Sequence, residues 1–365
     1  MPIVKHNNLP AFDKLSSEGM LILEPTRALG QHIRELHIGL LNMMPDAALK
    51  ATELQFLRLI GESNPIAQFY VHPFTLDSLV RGEKARAHIA EYYESFDDIR
   101  QQGLDALIIT GANVVGTELS NQPFWESLIE VAEWSHQHVT STLCSCLATH
   151  AVMEFRYGQK RRPQKNKKWG VFQHKLTAQQ HPLIVDTNTR FDVPHSRWNA
   201  VSSEQFNQAG LPVLAIEEDD GCVHLATSED GIRTVFFQGH PEYDTISLLK
   251  EFKREVYRFI AGELEQFPPF PQNYLGPFEQ AVLNEYRYRL LQAKRSGLVL
   301  PEFPEQKILP HLDNSWCDTA DAVLGNWIGL IYQLTHKDRD KPFMDHIDPS
   351  NPLGLGEQFR KNHNK

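Results

Sequence analysis

Apolar residues along this chain gather in two patterns: short unbroken runs, and longer stretches in which they recur every three or four positions. The first pattern predicts buried strands and the second predicts helices. The segment Val139-Thr140-Ser141-Thr142-Leu143-Cys144-Ser145-Cys146-Leu147-Ala148-Thr149-His150 contains both in succession. Its first half is β-branched and apolar; in the second, Leu147, Ala151 and Phe155 fall at intervals of four. The same succession recurs upstream. Residues 37–42 predict a strand ended by Met43-Met44-Pro45, and Asp46 predicts a helix cap with Ala47, Ala51, Leu54 and Leu57 on one face behind it. A second strand is predicted at 66–72, stopped by Pro73, and a helix over 84–102 that ends at Gly103. A third strand, 104–110, is closed by Gly111-Ala112-Asn113, and a helix opening at Pro123 leads back to the cysteine segment. Strands alternating with helices imply a mostly parallel sheet sandwiched by helices.

Beyond the cysteine segment the pattern changes. Lys160-Arg161-Arg162-Pro163-Gln164-Lys165-Asn166-Lys167-Lys168 is the one basic run, read either as a solvated loop or as a site for an anionic ligand. Short strand-like pieces follow at 170–176, 213–216, 222–226 and 234–238, separated by turn signals, as hairpins or antiparallel additions to the sheet. A helix is predicted over 245–261, ended by Phe267-Pro268-Pro269-Phe270-Pro271, and two more over 277–296 and 319–335. This divides the chain into an irregular lead-in (1–36), an α/β catalytic domain (37–265), a C-terminal helical extension packed on it (266–340) and a loosely ordered tail (341–365).

Composition narrows the function classes. The 365 residues, 41% hydrophobic and 22% charged, have ample material for a soluble core. A net charge of −10 argues against a dedicated nucleic-acid binder, and no membrane-length apolar run or signal-peptide pattern is seen. The four cysteines form no disulfide framework, so a reduced, cytoplasmic protein is expected. Cys144 and Cys146 resemble half of a zinc site, but no second close pair follows; no metal is expected.

A cysteine where a strand gives way to a helix stands on a sharp turn that exposes its sulfur, and the free N–H groups of the helix's first turn favour thiolate. This is the geometry of a nucleophile elbow, without its usual glycines. Cysteine is also among the most buried residue types, so this stretch alone leaves catalysis and a core thiol evenly matched. A partner tips the balance. Gln238-Gly239-His240-Pro241-Glu242-Tyr243-Asp244 lies between a predicted strand and a predicted helix, again where side chains emerge at the carboxyl edge of a parallel sheet. His240 can act as base and Glu242 can orient its ring. Gly111-Ala112, at the end of another strand, can bring backbone N–H groups to a substrate; with the N–H of Leu147 they would form an oxyanion hole.

Taken together these motifs resemble the homoserine O-acyltransferase family (homoserine transsuccinylases) within the class I glutamine-amidotransferase-like, flavodoxin-like fold. The resemblance is carried in order by Leu41-Asn42-Met43-Met44-Pro45, Thr110-Gly111-Ala112, Glu133-Trp134-Ser135, Val139-Thr140-Ser141-Thr142-Leu143, Pro194-His195-Ser196-Arg197, Gly239-His240-Pro241-Glu242-Tyr243-Asp244 and Asn326-Trp327. It implies Cys146 as acyl-accepting nucleophile, His240 as general base and Glu242 as its partner, with no catalytic part for Cys144. Lys167, Ser196 and Arg254 match the family's substrate-binding positions. An arginine suits a carboxylate because its fork gives two parallel hydrogen bonds. The implied reaction is transfer of an acyl group from succinyl-CoA to the hydroxyl of L-homoserine through a cysteine thioester, the first committed step toward methionine. Acyl-CoA is a co-substrate, and no cofactor is implied. Neither nucleic acid nor membrane is an expected partner, and a homodimer is left open.

The chain departs from the family at Val115, where the donor-discriminating position usually holds Gly or Glu; at Leu147, where a Trp often follows the cysteine; and in a longer segment after Pro45. Acetyl-CoA as donor, a glutamine amidase or other cysteine hydrolase, and a catalytically silent binding protein are the competing readings. An intact Cys, His and Glu set speaks against the last.

Overall fold

Backbone hydrogen bonds join strands from the whole length of the chain into one eleven-stranded sheet, in the order β2-β1-β4-β3-β5-β6-β11-β10-β9-β7-β8. The computed structural model describes residues 3–63, 67–114, 116–177 and 180–356. The first half of the chain builds the parallel part: β1 (Ile3–Val4), β2 (Ile22–Leu23), β3 (Glu35–Leu41), β4 (Gln68–Phe74), β5 (Ala106–Ile109) and β6 (Ser141–Ser145). The second half adds β7 (Arg162–Leu176), β8 (Arg190–Ala200), β9 (Val213–Glu217), β10 (Val223–Thr227) and β11 (Thr234–Phe237). From β2 to β11 every neighbouring pair is parallel; β10, β9, β7 and β8 continue the sheet antiparallel. The central order β4-β3-β5-β6-β11 is the flavodoxin-like 2-1-3-4-5 arrangement, in which ligands sit outside the strands' carboxyl ends.

The period of two along each strand sorts side chains onto two cores. Leu40, Ile108, Leu143 and Val235 face one way, toward α3 (Leu49–Ser63) and the C-terminal helix 317–334. Leu41, Ile109, Cys144 and Phe236 face the other way, toward α6 (Trp125–His138) and α7 (Leu147–Tyr157). The expected sheet sandwiched by helices, with antiparallel additions, is therefore the fold found. The remaining helices are α1 (Pro10–Ser17), α2 (Pro25–Leu29), α4 (Glu83–Tyr92), α5 (Phe96–Gln102), α8 (Ser203–Gln208), α9 (Ser247–Ile260), α10 (Pro277–Ser296), α11 (Glu305–Ile308) and α12 (Cys317–Leu334). A third cluster joins α9 to α10 through Phe252, Val256, Leu283 and Leu290. Trp327 of α12 is fully buried and donates from Nε1 to Ser141 Oγ at 2.7 Å, docking that helix on β6.

Several local expectations differ. The lead-in is not irregular: β1 and β2 extend the sheet edge, and α1 buries Ala11, Phe12 and Leu15. Two-residue strands are too short to register as a periodicity. Asp46 does not cap a helix; it accepts from the Gly82 N–H at 2.7 Å, and α3 starts at Leu49. Pro73 lies inside β4, opposite Leu40, beyond the point where β1 pairs with that strand, so its missing N–H forfeits nothing. The predicted 84–102 helix is two, because Ser95 caps α5 by accepting from the Asp98 N–H at 3.1 Å. Phe155 is 39% exposed rather than buried with Leu147 and Ala151. The tail is anchored at points as far as Leu353. Phe343 is buried under Arg233, 4.7 Å from its ring, and Leu353 packs against the sheet core. Residues 357–365 lie outside the described part.

Candidate active site

The turn after β6 carries unusual backbone geometry. Cys146 has φ 51° and ψ −104°, a conformation that a side chain with a Cβ adopts only when its surroundings enforce it. The enforcement is visible. The Cys146 N–H donates to Phe237 O at 2.8 Å, and the Thr149 hydroxyl sits 2.8 Å from both Cys144 O and Phe237 O. The turn lifts Cys146 out of the pleat into a partly exposed position. Two residues earlier, Cys144 points into the apolar core, where burial pushes its thiol up to about 12.

The parallel pairing of β11 with β6 sets Phe237 opposite Ser145, so the chain leaving β11 emerges beside the elbow. Gln238 anchors that exit. Its Nε2 donates to Val201 O at 2.9 Å and Val223 O at 2.8 Å, and its Oε1 accepts from Val201 N at 2.9 Å. The next residue has to be glycine: a Cβ on Gly239 would stand 2.4 Å from Val193 Cγ1 and 2.9 Å from His224 Nδ1. His240 is then held by its own N–H on Pro194 O at 2.8 Å, by Nδ1 on Glu242 Oε1 at 2.8 Å and by Tyr243, stacked with centroids 4.4 Å apart. Burial, the largest influence on the ring, opposes its charged form. The Glu242 carboxylate and the hydrogen-bonded Cys146 sulfur outweigh it and hold the pKa well above the ordinary histidine value. With Nδ1 on Glu242, the ring's other nitrogen is the one left for the sulfur.

The end of β5 comes up alongside. A Cβ built on Gly111 would lie 3.5 Å from Cys146 Cβ and 3.9 Å from Leu147 N, so this backbone passes in contact with the elbow. Leu147 is the first residue of α7, and its N–H has no acceptor within the helix.

A second cluster flanks His240. Glu251, on α9, accepts from Tyr243 Oη at 2.8 Å through Oε1 and from Ser196 Oγ at 2.6 Å through Oε2, with Lys167 Nζ 3.3 Å from Oε2. Burial favours the neutral acid here, but Lys167, Ser196 and Tyr243 reverse this and hold Glu251 below the ordinary glutamate value. Lys167 also lies 4.4 Å from the centre of the Trp169 ring. The result is a partly buried carboxylate with a cation and two hydroxyls, one stacked ring away from His240.

A family model described as Homoserine O-succinyltransferase matches residues 2–337. The chain belongs to the homoserine O-succinyltransferase family. A protein of Allochromatium vinosum named Homoserine O-succinyltransferase is 63% identical over 97% of this chain and 99% of its own length. One of Thiobacillus denitrificans with the same name is 61% identical over 97% and 100%. Among solved structures, a glutamine amidotransferase of Methylobacillus flagellatus is similar with a TM-score of 0.44 and 12% identity, over 81% of this chain and 95% of that one. That last likeness is too low to bear on function.

Of the residues that the family resemblance singles out, Cys146, His240 and Glu242 converge; of the expected oxyanion-hole residues, Gly111 and Leu147 stand beside them and Ala112 is partly buried against the core that also holds Leu147. Lys167 and Ser196 converge on Glu251. Arg254 does not join them. Its side chain is 51% exposed, its Nε lies 3.3 Å from Glu255, and it lines an open groove with Lys250, Lys253, Tyr257 and Arg258. Val115 lies outside the described residues. Tyr243 and Glu251 were missed as site residues; Tyr243 stood inside a quoted motif, whereas Glu251 carries no local signal. The basic run is not a loop but the start of β7, and its charges part company there. Lys168 pairs with Glu217 and Asp220, while Lys167 turns to Glu251. Among the described residues, donor atoms of His6, His72 and Glu94 lie within 4.8 Å of one another and could hold a metal ion. They belong to the β1–β4 edge, and His72 is already bonded to Glu94 at 2.6 Å and to His37 at 2.9 Å.

Proposed function

We propose that this protein transfers a succinyl group from succinyl-CoA to the hydroxyl of L-homoserine through a thioester on Cys146. The observation that carries the proposal is the pairing of a strained, partly exposed Cys146 with a buried His240 that is itself fixed by Glu242. The names of the closely similar relatives support the substrates.

In the first half-reaction the Cys146 sulfur attacks the thioester carbonyl, and His240 holds the thiol proton. The negative oxygen of the tetrahedral intermediate is met by the Leu147 N–H and the backbone at Gly111 and Ala112. The carbon–sulfur bond to CoA breaks, and CoA leaves with the proton from His240. In the second half, His240 takes the proton of homoserine's hydroxyl as its oxygen attacks the Cys146 thioester. Collapse of that intermediate returns the electron pair to Cys146 and releases the succinyl ester. Glu242 keeps the ring oriented and offsets its charge throughout.

The Glu251 cluster suits the acceptor. Its carboxylate answers an ammonium group, and Lys167 and Ser196 answer a carboxylate and a hydroxyl. Arg254, one helical turn beyond Glu251, is proposed as a further carboxylate contact. Val115, neutral and smaller than glutamate, leaves a succinyl group permissible on charge. No helix among the described residues is long and apolar enough to cross a membrane, and all four cysteines are free. Free thiols fit a reaction in the cytoplasm.

Incubation with succinyl-CoA and homoserine should yield free CoA and O-succinylhomoserine by mass spectrometry. Hydrolysis of glutamine instead, or CoA release that is indifferent to homoserine, would contradict the proposal.

A further inference from the structure

Arg161 stands immediately before β7 and is only 4% exposed. Its NH2 group donates to Val114 O at 3.0 Å and to Gly116 O, the carbonyls on either side of position 115. Its Nε is buried without a partner. Among the described residues no carboxylate lies within ion-pair distance of this guanidinium. Glu154, whose charge reaches Arg161 only at longer range, lies 3.9 Å from Lys160. Burial pulls the Arg161 pKa down, and Cys146 is foremost among the neighbours opposing that pull, which puts the cation within electrostatic reach of the sulfur.

A buried guanidinium is normally matched by an anion, because carbonyl dipoles alone do not repay the loss of water around a full charge. Holding the Val114 and Gly116 carbonyls needs only the NH2 donors. The unpaired Nε and the uncompensated charge have no use in that structural task, and the charge is within electrostatic reach of the nucleophile. We propose that Arg161 binds the free carboxylate of the dicarboxylic acyl group while its other end is attached to Cys146, and that this pairing selects succinyl over acetyl. The inference rests on the acyl-transfer reading above and adds the group that recognises the donor.

The chemistry fits on both sides. A succinyl group carries its second carboxylate a short, flexible chain away from the thioester carbon, and a guanidinium donates to carboxylate oxygens in a planar fork. An acetyl group, with no second carboxylate, would leave Arg161 unpaired, so discrimination comes from the cost to the wrong donor as well as the gain to the right one.

The test uses full-length protein and rapid-quench measurement of the Cys146 adduct. Wild type should form the adduct from succinyl-CoA at least about 10²-fold faster than from its uncharged monoamide, succinamoyl-CoA, in keeping with sites built to pair one polar group. Arg161→Met should lose most of that ratio and narrow the succinyl-to-acetyl ratio by a similar factor, while Arg161→Lys keeps part of it. The monoamide comparison needs no variant, so it decides even if Arg161→Met folds poorly. Equal rates with succinyl-CoA and its monoamide in wild type would overturn the inference. So would an Arg161→Met variant slowed by the same factor with both donors, which is the signature of a loop clamp alone. Absence of any adduct with every acyl-CoA would instead overturn the acyl-transfer reading, and this inference with it.

Discussion

In the parallel half of the sheet, Cys146 and His240 are placed by backbone; in the antiparallel half, Lys167 and Ser196 are placed by side chains. The elbow depends on strand register, on Cys146 N–H reaching Phe237 O, and on a glycine at 239 that no other residue can replace without moving Val193. The Lys167–Ser196–Glu251 cluster depends on one carboxylate from α9 collecting groups from β7 and β8. Backbone placement tolerates no adjustment and suits bond-making, where small displacements are costly. Side-chain placement can be re-formed around a ligand, which suits a site that must exchange Ser196 and Lys167 between Glu251 and an acceptor.

That contrast can be broken at either end. The largest effect is expected at His240: His240→Ala should lower kcat by about 10²–10⁴-fold, with Glu242→Ala giving a smaller but still large loss. Near-normal steady-state turnover in His240→Ala would remove the parallel half from the chemistry. At the other end, Glu251→Gln keeps the shape but deletes the charge and turns one accepting oxygen into a donor. It should raise the homoserine KM by about tenfold or more and leave formation of the Cys146 adduct nearly unchanged, a split read from single-turnover against steady-state rates. Equal losses in both phases would mean that Glu251 serves His240 through Tyr243 rather than the acceptor.

The smallest effect is expected at Arg254. Arg254→Lys should raise the homoserine KM by a few-fold through loss of the two-point grip on a carboxylate. Homoserine kinetics identical to wild type would confine Arg254 to its open groove with Lys250 and Arg258, and leave the acceptor to the Glu251 cluster.

The same division governs what could be read from sequence. The elbow was legible because a switch from a β-branched, apolar run to a period of four marks a strand–helix joint, and a joint in a parallel sheet has a known address. Gly111 announced a close backbone approach at a neighbouring joint. Strand β8 was not legible, because Pro194, His195, Arg197 and Asn199 break any apolar alternation; buried Arg197 is satisfied by His195 Nδ1 and Asn199 O on its own strand and by Cys222 Sγ beyond it. The basic run read as one feature because its charges are adjacent, yet the fold sends Arg161, just before β7, to the carbonyls of Val114 and Gly116, Lys167 to Glu251 and Lys168 to Glu217. Glu251 was hidden for the converse reason: an acid on an amphipathic helix looks like solvent-facing surface until strands from elsewhere in the chain are laid over it.

The central claim is that backbone geometry, not mere possession of a thiol, selects the nucleophile between two cysteines that stand two residues apart. Intact-mass measurement after addition of succinyl-CoA without homoserine tests it most directly. One succinyl adduct should form on wild type and on Cys144→Ala, should be absent from Cys146→Ser under conditions that cleave no ester, and should be discharged by homoserine. An adduct that survives Cys146→Ser and vanishes in Cys144→Ala would place the chemistry on the buried thiol and contradict the account.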